Sequence, residues 1–410
     1  MKKAVVGVGV LAVLVVGFLI VKPRIAQHKF EIAEAYIKEN KIADAVLAYT
    51  SAIKWSGEAT FFNARGQAYE LLNQDSEALA DYQVAISKDG DVAIFWANLS
   101  SVQRKVGDLS EAIASADKAI SLDAKCSKGY FNRGLAKAAS HSYQSAIEDY
   151  TKSIELDGTN MEAYYSRANS LVNINDFKNA INDYDKLLGS GAESFEAYKQ
   201  RGIFKNGLKD YKGAIEDLNR ALAINAKDAQ VCYELGLAYS NSKNLVKAME
   251  QYAQALAINP MYDEVYFSRG MEHLYQQNYK LAISDLSRCI QLNPKFVKAI
   301  YSRGTAKAMS HDYKGSIADF DNVVKLDPKY TSAYYNRAVS KGILQMHKEA
   351  VADYDKALNL DPKQPEAYYN RGISRVNIND TKGACADFDT AIRMGYKPAK
   401  EMKAIYCGNV

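Results

Sequence analysis

The sequence predicts an all-α protein built as a linear stack of about eleven helix hairpins. Three observations point there. First, small residues recur with an almost fixed period: Ala45, Ala78, Ala112, Ala146, Ala180, Ala214, Ala248, Ala282, Ser316, Ala350 and Ala384 stand 33 residues apart once and 34 apart nine times. Second, each unit has two halves with apolar residues at helical spacing, separated by a short polar break, as in 331–364, where the break falls around Met346 to Lys348. Third, the composition suits packed helices: 410 residues exceed one ordinary core, 7 prolines are few, and 29 tyrosines are many. A hairpin with one apolar face cannot bury it alone, so neighbouring units must stack.

At the start of the chain, Met1-Lys2-Lys3 precedes an apolar run from Ala4 to Val21, closed by Lys22-Pro23-Arg24. Eighteen helical residues rise about 27 Å, enough to cross a hydrocarbon core. A cleavable signal has a shorter apolar region and a small-residue cleavage site. Segment 1–24 is therefore expected to be an uncleaved transmembrane anchor, 25–397 the hairpin array, and 398–410 a capping helix over the last hairpin. The short N-terminal tail favours an array on the far side of the membrane. The expected localisation is single-pass.

Numbering each unit so that the recurring small residue is position 20, the other signature positions follow. Position 4 is aromatic or apolar (Phe62, Trp96, Tyr130, Tyr164, Tyr198, Tyr266, Ile300, Tyr334, Tyr368), with Cys232 the exception. Position 8 is small (Gly66, Ser100, Gly134, Ala168, Gly202, Gly236, Gly270, Gly304, Ala338, Gly372), which lets two helix backbones approach. Pro260, Pro294, Pro328 and Pro362 end their units, since proline cannot continue a helix. This pattern resembles the tetratricopeptide repeat (TPR) over roughly residues 26–397. The first unit fits least well, lacking an aromatic at position 4. The resemblance implies a right-handed α-solenoid whose first helices line a concave groove for extended peptides or partner helices. The likeness to envelope-assembly repeat proteins implies a bacterial inner membrane with the array periplasmic.

Comparing the units with one another reveals a charge pattern. Where the family has Leu at position 7, eight units carry Arg, among them Arg133, Arg167, Arg303, Arg337 and Arg371. All eight carry Asp at position 23, including Asp149, Asp183, Asp319, Asp353 and Asp387. The three units with Ile32, Leu99 or Leu235 at position 7 have Ala48, Ser115 and Gln251 instead. These residues are expected to form structural Arg–Asp pairs within each hairpin rather than an anion-binding ladder. The cations at position 11 (Lys137, Lys205, Lys307, Lys341, Arg375) either share that Asp or face solvent; solvent is the expectation retained.

Carried over by position, the resemblance implies a partner-binding groove along positions 5 and 6. Its expected residues are Asn98, Phe131, Asn132, Tyr165, Ser166, Gln200, Tyr301, Ser302, Tyr335, Asn336, Tyr369 and Asn370. Side-chain amides can bond a peptide main chain, and tyrosines supply rigid contact area with a polar tip. The competing reading is that the aromatics simply pack between neighbouring units. A carboxylate clamp of the chaperone-docking kind needs a set of Lys and Asn that these positions do not assemble.

No catalytic signature is present: no P-loop, no dinucleotide fingerprint, no paired metal-binding histidines and no nucleophile elbow. The chain is expected not to be an enzyme and to need no metal or cofactor. A net charge of +4, evenly spread, argues against a nucleic-acid partner. The five scattered cysteines read as small buried helix residues, although Cys385 and Cys407 fall near one another at the C-terminal end and their pairing stays open. The expected function is a membrane-tethered scaffold or receptor that binds a protein or extended peptide, with no small-molecule substrate, for assembly of an envelope or membrane complex. The alternatives are a mitochondrial-import or chaperone-docking receptor and a glycan-binding periplasmic module.

Overall fold

The computed structural model describes residues 21–191 and 193–408, which are helical throughout apart from short turns. A first helical stretch over 21–38 is followed by twenty-two further helices among the described residues. From Ala59 onward the first helix of each unit (helix A) is 13 residues long and starts at position 1, as in Ala59–Leu71 and Thr331–Ile343. Helix B begins at position 17, as in Asp75–Lys88 and His347–Leu360. Helix B also packs on helix A of the next unit, as Asp75–Lys88 does on Ala93–Lys105 and Tyr313–Leu326 on Thr331–Ile343. The chain divides into two compact units, Met1–Phe204 and Lys205–Val410. Each is a row of these hairpins.

The turn between helices A and B has one solution, used eleven times. Position 15 takes a left-handed backbone in every repeat: Asn40, Asn73, Gly107, His141, Asn175, Lys209, Lys243, Gln277, His311, Gln345 and Asn379. That residue ends helix A, and the amide after it reaches back to a carbonyl five residues earlier, as Asp108 does to Gln103 at 2.9 Å. Position 16 then caps helix B; Asp210, Asp312 and Asp380 accept from the amides of Gly213, Gly315 and Gly383.

Position 20 is fully buried in all eleven repeats. Position 8 faces the bulky residue at position 24 of the same hairpin. A Cβ added at Gly66 would stand 2.7 Å from a Tyr82 ring carbon, and one at Gly372 2.6 Å from Phe388. These glycines accept their helix-propensity cost, about 1 kcal/mol, because the ring needs the room.

Two expectations are corrected. Among the described residues no helix is long and apolar enough to cross a membrane, so the single-pass membrane localisation with a periplasmic array is not supported. The run assigned to the anchor falls, apart from Val21, on residues 1–20, outside the described residues. The cysteines also divide: Cys126, Cys232 and Cys289 are buried and free, but Cys385 and Cys407 form a disulfide. It joins the last hairpin to the terminal helix Ala399–Cys407, a juxtaposition that linear spacing could not reveal.

Candidate functional site

The site is built on helix A, and the Arg–Asp pairs hold that helix in place. In repeats 2, 4, 5, 8, 9, 10 and 11, Nε and Nη2 of the position-7 Arg donate to both oxygens of Asp at position 23, at 2.5–2.9 Å. The Asp residues are almost fully buried; Asp149 is 3% exposed and Asp319 2%. In six of these repeats Nη1 reaches back to position 25 of the preceding repeat. The acceptor there is Asp117, Asp321 or Asp355 at 2.6 Å, or the hydroxyl of Thr50, Thr151 or Ser287. The hydrogen bond to Asp149, first among its causes, holds the Arg133 guanidinium above its ordinary value. One Arg thus fixes both its own hairpin and the junction before it. The position-4 ring lies beside it, with Tyr130, Tyr334 and Tyr368 centroids 5.3–5.4 Å from the guanidinium carbon.

The position-11 cations, expected in solvent, share the same buried Asp. Lys137, Lys307 and Lys341 reach Asp149, Asp319 and Asp353 at 2.7–2.8 Å, and Arg375 reaches Asp387 at 2.8 Å. A buried carboxylate that already accepts two guanidinium bonds still has lone pairs to satisfy, and a cation one turn further along helix A is the nearest donor.

Positions 5 and 6 are largely engaged with each other. Asn336 Nδ2 donates to the Tyr301 hydroxyl at 2.8 Å, and Asn370 Nδ2 to the Tyr335 hydroxyl at 3.1 Å. Asn132 donates to the Ala97 carbonyl at 2.7 Å, and Asn98 to Asn63 Oδ1 at 2.7 Å. These are rungs between consecutive A helices. Asn98, Phe131, Asn132 and Ser302 are buried, while Tyr165, Ser166, Gln200, Tyr301, Tyr335, Asn336, Tyr369 and Asn370 are half-buried. The rings also pack internally: Phe131 on Tyr150, Tyr165 on Tyr184, Tyr335 on Tyr354, and Tyr369 on Phe388. Gln200 bonds Glu196 within its own helix.

The open surface lies one to two turns further along helix A, at positions 9, 12 and 13. In the N-terminal unit these positions border a cleft of about 460 Å³ whose lining includes Gln67, Glu70, Leu71, Ser101, Lys105 and, from repeat 4, Lys128. Glu70 accepts from the Tyr82 hydroxyl (2.5 Å), Ser101 Oγ (3.2 Å) and Lys105 Nζ (3.0 Å). Lys128 Nζ donates to Asn98 Oδ1 at 2.6 Å, and burial pushes its amine below the ordinary lysine value. In the C-terminal unit, a cleft of about 280 Å³ between the A helices of repeats 9 and 10 is lined by Thr305, Met309, Asn336, Val339 and Ile343. There Tyr275, Met309 and Ile343, all at position 13, are 75%, 57% and 52% exposed. Sequence reasoning missed these residues because no family signature marks their positions. The available signal was apolar side chains recurring at position 13, just before the turn.

Among the described residues, no group of three His, Cys, Asp or Glu side chains is placed to hold a metal ion. His141 and His311 each meet a tyrosine hydroxyl across the turn at 2.9 Å.

Models of the tetratricopeptide repeat match residues 30–93, 93–126, 127–160, 165–229, 207–267 and 263–296, and a TPR repeat model matches 344–377. No curated protein matches the chain. Among solved structures, the C-terminal part of a TPR repeat-containing protein from Cytophaga hutchinsonii is 20% identical, with a TM-score of 0.52 over 58% of this chain and 98% of its own. YrrB, described as a TPR protein with an unusual peptide-binding site, is 22% identical, with a TM-score of 0.44 over 46% of this chain and 97% of its own. MamA is 26% identical, with a TM-score of 0.38 over 40% of this chain and 96% of its own. Of the three, the first carries the likeness of fold. This family and fold typically serve as scaffolds without catalysis, suited to binding proteins or peptides. The chain is a tetratricopeptide-repeat protein.

Proposed function

We propose that this protein is a non-enzymatic scaffold that holds extended segments of partner proteins along its A helices. It offers two stretches of different chemistry: a polar, charged one in repeats 1–4 and an apolar one in repeats 8–10. The observation that carries this reading is that side chains at positions 9, 12 and 13 line clefts in both units, while most side chains at positions 5 and 6 bond or pack between repeats. The function expected of the asparagine and tyrosine rows thus moves along the helix to their neighbours.

Site-specific photo-crosslinking tests it. A photoreactive phenylalanine at Gln67 or Met309 should capture partners. The same group at Val246 or Leu281, exposed at 72% and 53% on B helices, should not. Capture that is as strong from the B helices would sink the reading.

One observation favours a second reading, docking of a peptide's terminal carboxylate. Lys128 brings a half-buried ammonium beside Asn98 at the edge of the polar cleft. An acidic peptide should then bind better as the free acid than as the C-terminal amide, and Lys128→Ala should abolish the difference.

A further inference from the structure

The terminal helix Ala399–Cys407 occupies the place of helix A in a twelfth repeat. Repeat 11 is two residues short: its helix B, Thr381–Arg393, is followed by a left-handed Gly395. With that shortening, Tyr396 becomes the residue immediately before the new repeat, as Tyr262 and Tyr330 are before repeats 8 and 10. It makes the same contact: Tyr369–Tyr396 centroids are 5.1 Å apart, against 5.2 Å for Tyr233–Tyr262 and 4.9 Å for Tyr301–Tyr330. Ala399 then takes position 3 and is fully buried, as Ala333 and Ala367 are. Lys403 takes position 7 and pairs with Asp389, the position-25 residue of repeat 11, just as Arg371 pairs back to Asp355.

A helix of nine residues is too short to persist by itself, and the Lys403–Asp389 pair is near half exposed on both sides. Beyond the packing of Ala399 and Met402, the strongest tie is covalent: Cys407, on the terminal helix, is bonded to Cys385 in helix B of repeat 11. The other three cysteines are buried and unpaired, and burial raises the thiol of each.

We propose that the Cys385–Cys407 disulfide is a redox latch that holds the terminal helix on repeat 11, and that a dithiol reductant opens it. A reductant thiolate attacks one sulfur, releases the other as a thiolate that takes up a proton, and forms a mixed disulfide. Its second thiol then displaces the remaining cysteine, leaving two thiols on this chain and one disulfide on the reductant. Opening frees the terminal helix and uncovers the apolar face of repeat 11, with Cys385, Phe388 and Ala391, that Ala399 and Met402 now pack against.

Two measurements on the full chain test this. Alkylation under denaturing conditions should modify three cysteines before reduction and five after; five before reduction would overturn the latch. Hydrogen exchange with and without dithiothreitol should show at least a tenfold acceleration for residues 397–408, with repeats 8–10 unchanged. Exchange that ignores the dithiol, or rises equally throughout repeats 8–11, would also overturn it. A C385A/C407A protein should exchange like the reduced chain and ignore dithiothreitol; a response to the reductant there would place the effect elsewhere.

Discussion

Repeat 4, in the N-terminal unit, and repeat 9, in the C-terminal unit, share a frame and differ in lining. In both, an Arg at position 7 grips a buried Asp, a Lys at position 11 shares it, and a glycine at position 8 makes room for a ring. Yet beside repeat 4 helix A presents Ser101, Lys105 and Lys128, and around repeat 9 it presents Thr305, Met309 and Ile343. Stacking constrains the residues that face another helix more tightly than positions 9, 12 and 13, whose residue types differ from repeat to repeat. On the proposed function, stability and specificity sit on different residues of one helix, and changes to the frame should weaken folding wherever they are made.

The largest expected effect comes from removing the shared carboxylate. Asp319→Ser strands both Arg303 and Lys307, each less than one fifth exposed, and should cost about 3–5 kcal/mol. Arg303→Leu should cost less, because Lys307 still partners Asp319. Adding Asp319→Ser to Arg303→Leu imitates repeat 3, which has Leu99 and Ser115, but Lys307 then lacks an acceptor. The double variant should recover fully only with Lys307→Gln as well. Denaturant melts of the four proteins check this order; a single Asp variant no worse than the single Arg variant would break it.

Next comes crowding at position 8. Gly372→Ala sets a methyl against Phe388 and should destabilise by about 1–2 kcal/mol, although alanine is the better helix former. Adding Phe388→Leu, which copies the Gly270–Leu286 pair, should return part of the loss in a thermal melt.

The linings should respond to salt in opposite ways. Peptide captured through the Lys105–Lys128 cleft should weaken severalfold between 50 and 500 mM salt, whereas capture at Met309 and Ile343 should hold or strengthen. Equal salt dependence, read by fluorescence anisotropy, would erase the distinction between the two regions.

The frame was legible in the sequence because the chain writes it eleven times. Arg133 with Asp149 and Arg371 with Asp387 could be matched repeat against repeat, and Ala48, Ser115 and Gln251 marked the places where the pattern stops. The lining was harder to read, because its residue types vary along the chain and the apolar recurrence at position 13 in repeats 8–10 matches no family signature. Asn336 shows the limit: an amide on a helix face suits a peptide or a neighbour equally well on paper, and its direction, onto the Tyr301 hydroxyl, is a property of the packed stack. The position-11 lysines failed the same way, since one turn along a helix separates solvent from a buried carboxylate.

The smallest effect lies where the frame is imperfect. Repeat 8 carries His273 at position 11, where repeats 9 and 10 carry lysine, and its Nε2 is 3.9 Å from Asp285. Burial, the largest cause, pushes the imidazole below its ordinary value of 6.5, with Arg269 adding to this and Asp285 and Glu272 opposing it. A histidine depressed in the folded state takes its proton first in the unfolded chain. Its contribution to stability is therefore full above about pH 6.5 and is lost as the pH falls below that value. Melting temperatures taken from pH 7.5 to 5.5 should fall by about one or two degrees more for the native chain than for His273→Lys. The lysine stays charged across that range and can reach Asp285 as Lys307 reaches Asp319, so it should flatten the profile. Parallel profiles for the two proteins would mean that Asp285 already compensates the ring, and that repeat 8 is as well framed as repeats 9 and 10.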